Sequence, residues 1–311
     1  MEYSRTAIVI TGPTASGKTA AAVELSKFLP IEVISADSRQ IYRYLDIGTA
    51  KPTSEELKAV RHHFIDILYP DEYYSAGLFE KQAGLVLNDI FLRNKIPVIV
   101  GGSGLYIKAL CEGFFDEESV DKNQKEIIRK QLENRLANEG IDSLYSELLK
   151  IDSYSAMIYS DKNPRRIIRA LEFFELYGST ISNAHKEYQA KKDFKAVYYG
   201  IYFDRENLYK RINLRAEWMW NNGLVDEVKD ILKIGYKKEL NSLNTVGYKE
   251  AIGYLDSLLN SEMALNEIQK NTRRYAKRQM TWFNKIDSIR WLDAKSDVAG
   301  IIAQDFKNNI V

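Results

Sequence analysis

The sequence predicts an α/β protein: a parallel sheet flanked by helices and interrupted by an all-helical insertion. Three observations lead to that class. Apolar, β-branched runs at residues 6–11, 31–35 and 97–100 alternate with helix-forming stretches, the pattern of strands covered on both faces. A glycine-rich loop carrying a lysine, residues 12–19, joins the first run to a helix. From about residue 116 to 190 strand character disappears and helical patterning takes over.

Each element can be justified in order. Thr6-Ala7-Ile8-Val9-Ile10-Thr11 is a buried strand, and Ala20-Ala21-Ala22-Val23-Glu24-Leu25 after the loop is rich in strong helix formers. A second strand, residues 31–35, ends at Ala36-Asp37-Ser38-Arg39-Gln40. A long helix over about 75–93 leads to a strand at 97–100 and the turn Gly101-Gly102-Ser103-Gly104. Helices are expected at 124–139, 143–150 and Pro164–Tyr177, the last opened by a proline whose missing N–H costs nothing at a first helical position. Strand character returns at 196–204 and again, weakly, at 288–292. The expected domains are therefore a discontinuous core, 1–115 with 191–311, and a helical insertion, 116–190.

With 45% hydrophobic and 28% charged residues and a net charge of +1, the 311-residue chain has the balance of a globular protein. Any nucleic-acid surface must then be a local one. The single Cys111 allows no intrachain disulfide, and the start of the chain reads neither as a leader nor as a membrane anchor. A reducing, cytoplasmic setting with no membrane association is expected. Three histidines, two of them adjacent, and one cysteine are a poor ligand supply for a zinc site.

Gly12-Pro13-Thr14-Ala15-Ser16-Gly17-Lys18-Thr19 is a complete G-x-x-x-x-G-K-[ST] loop between strand and helix. There, backbone N–H groups and the helix dipole converge on a phosphate. Lys18 adds positive charge, and the Thr19 hydroxyl suits Mg²⁺. The loop, Asp37 and the 101–104 turn all follow strands, where open parallel sheets bind ligands, so one kinase-like site is expected. Asp37 reads either as a metal carboxylate or as a base toward an attacking nucleophile, beside the plain alternative of a turn cap. His62-His63 reads either as a pair that moves protons or positions a substrate, or, the favoured reading, as hydrogen bonding at the start of a short strand. Arg211 and Arg215, spaced i, i+4, either reach the phosphate site or lie on the surface. Arg165, Arg166 and Arg169 make one basic cluster. Between Glu267 and Lys285, six basic residues against one acidic are interleaved with Tyr275, Trp282 and Phe283. That stripe suits RNA backbone and stacked bases, or equally a solvated face above a core.

Several segments together resemble the tRNA dimethylallyltransferase family, also called tRNA isopentenyltransferases. They are residues 12–19, Ser-Ala-Asp-Ser-Arg-Gln-Ile-Tyr (35–42), Gly-Thr-Ala-Lys-Pro (48–52) and His-His-Phe-Ile-Asp (62–66), then Val-Gly-Gly-Ser-Gly-Leu-Tyr-Ile-Lys-Ala-Leu (100–110), Arg-Arg-Ile-Ile-Arg-Ala-Leu-Glu (165–172), Val-Gly-Tyr-Lys-Glu (246–250) and Thr-Arg-Arg-Tyr-Ala-Lys-Arg-Gln-Met-Thr-Trp-Phe (272–283). The resemblance implies transfer of a dimethylallyl group from dimethylallyl diphosphate to N6 of the adenosine 3′-adjacent to a tRNA anticodon. It implies that the loop cradles the donor diphosphate, that Asp37 acts on the N6 proton, and that Ser103 stands where the family has a threonine. It carries tRNA contacts over to Asp37, Ser38, Arg39 and Gln40, to Ser103, to Arg129, and to Arg165, Arg166, Ile167, Ile168 and Arg169. Asn244, Thr245, Val246, Gly247, Tyr248 and Lys249 complete the set. The insertion becomes the anticodon-loop domain, Mg²⁺ the cofactor and a monomer the expected state. The rival readings are a small-molecule kinase, prenyl transfer to free adenine nucleotide, and a nucleotide-gated RNA-binding switch.

Overall fold

The computed structural model describes residues 5–113, 122–187 and 192–310. The expected insertion boundaries at 115/116 and 190/191 lie outside them. By contacts the chain divides into two compact units, Met1–Cys111 with Lys192–Val311, and Glu112–Lys191.

The first unit opens with β1 (Thr6–Thr11), α1 (Lys18–Leu25), β2 (Ile31–Ser35), α2 (Ser54–Ala59), β3 (His62–His63), α3 (Ala76–Leu92), β4 (Ile96–Val100) and α4 (Gly104–Glu112). The second unit holds α5 (Lys122–Glu139), α6 (Ile141–Ile151), α7 (Ser153–Ile158), α8 (Pro164–Tyr177) and α9 (Ile181–Glu187). The first unit resumes with β5 (Lys195–Tyr202), α10 (Arg205–Asn221), α11 (Leu224–Lys233), α12 (Tyr248–Leu255), α13 (Ser261–Phe283), β6 (Arg290–Asp293) and α14 (Val298–Ile310). The sequence-based strands recur, the first two unchanged and the others with ends shifted by one or two residues, and α2, α7 and α9 are too short for periodicity to announce them.

All six strands are parallel, in the order β3-β2-β4-β1-β5-β6. Every residue of β1, β2 and β4 is buried, which is why these strands read as continuous apolar runs and not as alternating ones. One core lies between the sheet and α1 with α14, built from Ile8, Ile10, Leu25, Val33, Val98, Ile302 and Phe306. The connections bring the C-terminal ends of β1, β2 and β4 side by side, with the loops that leave them on the same edge.

The helical unit has its own core, centred on Leu132, Leu144, Leu148, Ile167 and Leu171. Its α8 begins as the sequence implies: the Asn163 side chain accepts from the Arg165 and Arg166 amides, Pro164 is the first helical residue, and left-handed Gly178 ends the helix.

Candidate active site

The glycine-rich loop is held open by its own side chain and by distant residues. Lys18 Nζ donates to the carbonyls of Gly12 (3.1 Å) and Pro13 (2.7 Å), folding the lysine back over the loop. Gly12 has φ +140°, and a Cβ there would lie 2.5 Å from the Ile201 carbonyl oxygen, so only glycine allows the loop to leave β1 against β5. Ala15 adopts φ +64°. Arg211 Nε donates to the Ala15 carbonyl at 2.9 Å and its guanidinium lies 4.7 Å from the Phe203 ring centroid. The N-cap of α1 is Gly17, with no side-chain cap, whereas Ser75, Asn163, Asp204 and Asn260 cap α3, α8, α10 and α13. The first amides of α1 thus keep their hydrogen-bonding capacity beside the cavity.

Asp37 stands just beyond β2. Its Oδ1 accepts from the amides of Arg39 (2.8 Å) and Gln40 (3.4 Å), so the turn-capping reading is correct as far as it goes. That leaves Oδ2 for other work. The turn is braced from β4: the Ser38 amide donates to Ser103 Oγ (3.1 Å) and the Ser103 amide to the Ala36 carbonyl (3.2 Å). A Cβ on Gly101 would sit 2.1 Å from that same carbonyl oxygen, so the 101–104 turn owes its glycine to close approach to the Asp37 segment.

Two cavities open from this edge. One, of about 510 Å³, is lined by Thr14, Ala15, Gly17, Lys18, Thr19, Gln40, Arg211 and Arg215, and continues to Val33, Pro52, Glu56 and His62. The other, of about 320 Å³, is lined by Ser38, Arg39, Asn244, Thr245, Val246, Gly247, Lys249 and Arg278. Thr14, Ala15, Asp37, Thr49, Arg215 and Tyr275 line both. Lys18 and Asp37 therefore face one space, and Asp37 stands where that space meets the second.

The electrostatics of the first cavity are dominated by buried cations. Burial, then the Arg215 charge, pushes the Lys18 ammonium down to about 7, with Asp37 pulling the other way. Burial also lowers the Arg215 guanidinium, again against Asp37.

The sequence-predicted residues fall in different settings. Ser103 lines neither cavity; it positions Ser38 and hence the Asp37 turn. The Tyr248 side chain is fully buried and its hydroxyl donates to Glu227 Oε1 at 2.5 Å, so its side chain is committed to the protein. Ile167 and Ile168 are core residues of the helical unit. There, Arg129 and Arg169 hold the buried Glu172 at 3.1 and 2.8 Å, Arg166 lies 3.8 Å from Asp161, and Arg165 is exposed. The basic stripe of α13 is divided. Arg273 bonds Asn213 on α10 (2.6 Å), Arg278 reaches the second cavity, and Phe283 is fully buried.

Gln279 escapes sequence reasoning, and Tyr275 is legible only as one aromatic of the basic stripe. Gln279 Oε1 accepts from the Thr14 amide (2.8 Å) while its Nε2 donates to the Gly102 carbonyl (3.0 Å), tying the phosphate loop to the β4 turn. Tyr275, one turn earlier, lines both cavities, and burial followed by the Asp37 charge holds its phenol protonated. The available signal was a glutamine on the apolar face of an amphipathic helix, i, i+4 from a tyrosine.

A P-loop, a strand-end carboxylate between two cavities and paired arginines define a group-transfer enzyme of kinase-like α/β fold. Residues 40–286 match the model of the IPP transferase family, and the chain belongs to that family. It is 44% identical over 296 residues to tRNA dimethylallyltransferase 1 of Syntrophotalea carbinolica, covering 95% of this chain and 93% of that one. The full-length tRNA isopentenylpyrophosphate transferase of Bacillus halodurans superposes with a TM-score of 0.71 at 37% identity, covering 98% and 97% of the two chains. A eukaryotic dimethylallyltransferase acting on tRNA gives 0.84 at 27% identity, over 99% of this chain and 81% of that one.

Proposed function

We propose that this enzyme transfers a dimethylallyl group from dimethylallyl diphosphate to N6 of the adenosine 3′-adjacent to the anticodon of tRNA. The observation that carries the reading is the position of Asp37 at the junction of two cavities, one walled by the phosphate loop and one by residues 244–249. An electrophile held by its diphosphate and a base arriving from the other side would meet there.

The diphosphate would lie on the amides of residues 14–19, with Lys18 and Arg215 neutralising charge that grows as it leaves. An exocyclic adenine amine is a weak nucleophile because its lone pair is delocalised into the ring. Asp37, pinned through Oδ1, would present Oδ2 to the amine and take its proton as the C–N bond forms. Reaching the second cavity requires the nucleotide to leave the stacked loop, at a few kcal/mol. The helical unit, through exposed cations such as Arg165, is read as gripping the anticodon stem-loop.

The donor set fits Mg²⁺. Thr19 offers a hard oxygen in the first turn of α1, and among the described residues no cluster of three His, Cys, Asp or Glu forms a cage. An ion shared by one protein hydroxyl and substrate phosphates needs no such cage. When bound it supplies charge neutralisation on the departing diphosphate.

Both cavities belong to one unit of one chain, so a monomer suffices. Among the described residues no helix is long and apolar enough to cross a membrane; a cytoplasmic reaction fits the lone cysteine. Mass spectrometry of tRNA nucleosides after incubation with dimethylallyl diphosphate and Mg²⁺ tests the reading. The expected product is a single adenosine heavier by one C5H8 unit, and unmodified tRNA with prenylated free nucleotide would overturn it.

A further inference from the structure

The cavity on the phosphate-loop side extends well past the loop. Sheet order ranks the groups along it: the loop leaves β1, Asp37 follows β2, and His62 lies on the edge strand β3. β3 stands three interstrand spacings from β1, roughly 14 Å at about 4.8 Å each. A five-carbon allylic diphosphate, with bonds of about 1.5 Å, spans roughly 10 Å. A donor anchored on the loop, with its reacting carbon beside Asp37, therefore has its hydrocarbon end on the β3 side.

At that end one polar atom is unsatisfied. His62 Nδ1 lies 2.9 Å from the Val60 carbonyl, which only accepts, so Nδ1 carries the proton. Nε2 is buried and has no partner, and burial holds the ring below its ordinary pKa, leaving that nitrogen as a bare acceptor. The neighbouring polar groups are engaged: Glu56 Oε2 accepts from the Thr53 amide (2.8 Å), and Lys51 Nζ donates to the Tyr42 carbonyl (2.6 Å). Val33, the register partner of His62, and Pro52 make the rest of this end apolar. A dimethylallyl tail gives Nε2 nothing to accept from.

We propose that His62 is a specificity-determining residue, and that this end of the cavity takes an allylic diphosphate whose terminal methyl carries a hydroxyl, the O–H donating to His62 Nε2. The enzyme then transfers a hydroxylated prenyl group as well as dimethylallyl. This rests on the dimethylallyl transfer proposed above and changes no bond in it. The C1–O bond to diphosphate breaks, the C1–N6 bond forms, the N6 proton passes to Asp37 and the hydroxyl is carried through unaltered, so no oxidant is required.

The test compares kcat/KM for dimethylallyl diphosphate and for the same donor hydroxylated on a terminal methyl, with full-length enzyme and tRNA. Formation of the product is followed as an adenosine 16 mass units heavier than the dimethylallyl one, the difference being one oxygen. For the wild type the two donors are expected within about tenfold of each other. His62→Leu, which removes the acceptor, is expected to lower the hydroxylated-to-dimethylallyl ratio at least about tenfold, and His62→Asn to recover part of it. Competition between each donor and inorganic diphosphate in an equilibrium binding assay gives the corresponding ratio of affinities without turnover, expected to fall in the same direction in His62→Leu. Rejection of the hydroxylated donor by the wild type by more than about 100-fold overturns the proposal, as does an unchanged ratio in both variants. Should His62→Leu not fold, the wild-type ratio and His62→Asn decide. Absence of dimethylallyl transfer by the wild type would instead remove the reading beneath it.

Discussion

Two clusters of charge lie on the same sheet, and their contrast separates structure from function. Around Glu32 on β2, the buried charge is fully partnered: Arg93 (2.6 Å), His63 (2.8 Å) and Lys95 (2.9 Å) contact its carboxylate, with Arg61 at 4.0 Å. Burial alone would raise Glu32, yet hydrogen bonds from His63 and Lys95, with the Lys95 and Arg93 charges, hold it down at about 2. Around Lys18 the buried charges are cations that face a cavity. Burial and then the Arg215 charge push Lys18 down to about 7, burial and the Arg211 charge lower Arg215, and Asp37 is the carboxylate that tempers both. A cluster that serves only the fold pairs its buried charges; one that leaves cations crowded beside a cavity is completed by an anion.

The sharpest way to break this contrast is Asp37→Ala. The protein is expected to fold, because the substitution removes only two turn hydrogen bonds, and to transfer the prenyl group at least about 100-fold more slowly, the low end for a lost general base. Asp37→Asn keeps the turn bonds and is expected to be comparably slow. Single-turnover rates with saturating tRNA measure both, and near-normal turnover of either variant removes Asp37 as the base.

Glu32→Gln tests the partnered cluster. It is expected to cost about 2 kcal/mol at pH 7, discounted because the arginine and lysine partners are partly exposed. Glu32 is depressed in the folded state, so its contribution is present above the ordinary carboxyl value of 4.5 and is lost as pH falls toward about 2. Urea unfolding should show the variant and wild type converging between pH 5 and pH 2. A constant gap across that range contradicts a charge-based role.

Lys18 responds in the opposite sense. Its folded pKa lies near 7 without donor, and an anionic diphosphate favours the protonated form. Donor affinity should therefore fall as pH rises above 7, by up to about tenfold per unit until the bound-state pKa is reached. Calorimetry in buffers of different ionisation heat should record proton uptake on binding at pH 8. Lys18→Met should abolish that uptake, and a flat affinity between pH 7 and 9 would show that the lysine is already charged.

What the sequence disclosed follows the same division. Residues 12–19 and Asp37 were legible because their chemistry is local: a loop before a helix, and a carboxylate after a strand. Fully buried β1, β2 and β4 were legible for the same reason. Gln279 was not, since it meets Thr14 across 265 residues and no spacing rule reaches that far. Strand order was equally hidden, because placing β4 between β1 and β2 depends on where α3 packs. His62 was half read: its bond to Val60 is the strand-end contact expected, whereas the open Nε2 emerges only from the cavity. Ser103 and Tyr248 show the converse, motif residues that act on neighbouring protein.

The smallest expected effect extends the contrast to the arginines of α8, which look equivalent in sequence. Arg169 is committed, with Arg129, to Glu172, a fully buried carboxylate; Arg165 is exposed, and among the described residues no ion pair holds it. Arg165→Ala should weaken tRNA binding about three- to fivefold and reduce the slope of log affinity against log salt by about 1, with no change in melting temperature. Arg169→Ala should instead lower stability by roughly 1–2 kcal/mol, because Glu172 loses a partner and is too buried to recover it from water. Binding across a salt series, paired with thermal melts of the same preparations, distinguishes them. Equal salt slopes for the two variants would mean that an arginine paired in the protein can still serve as a phosphate contact, and the rule drawn from Glu32 and Lys18 would then stop at the boundary of the first unit.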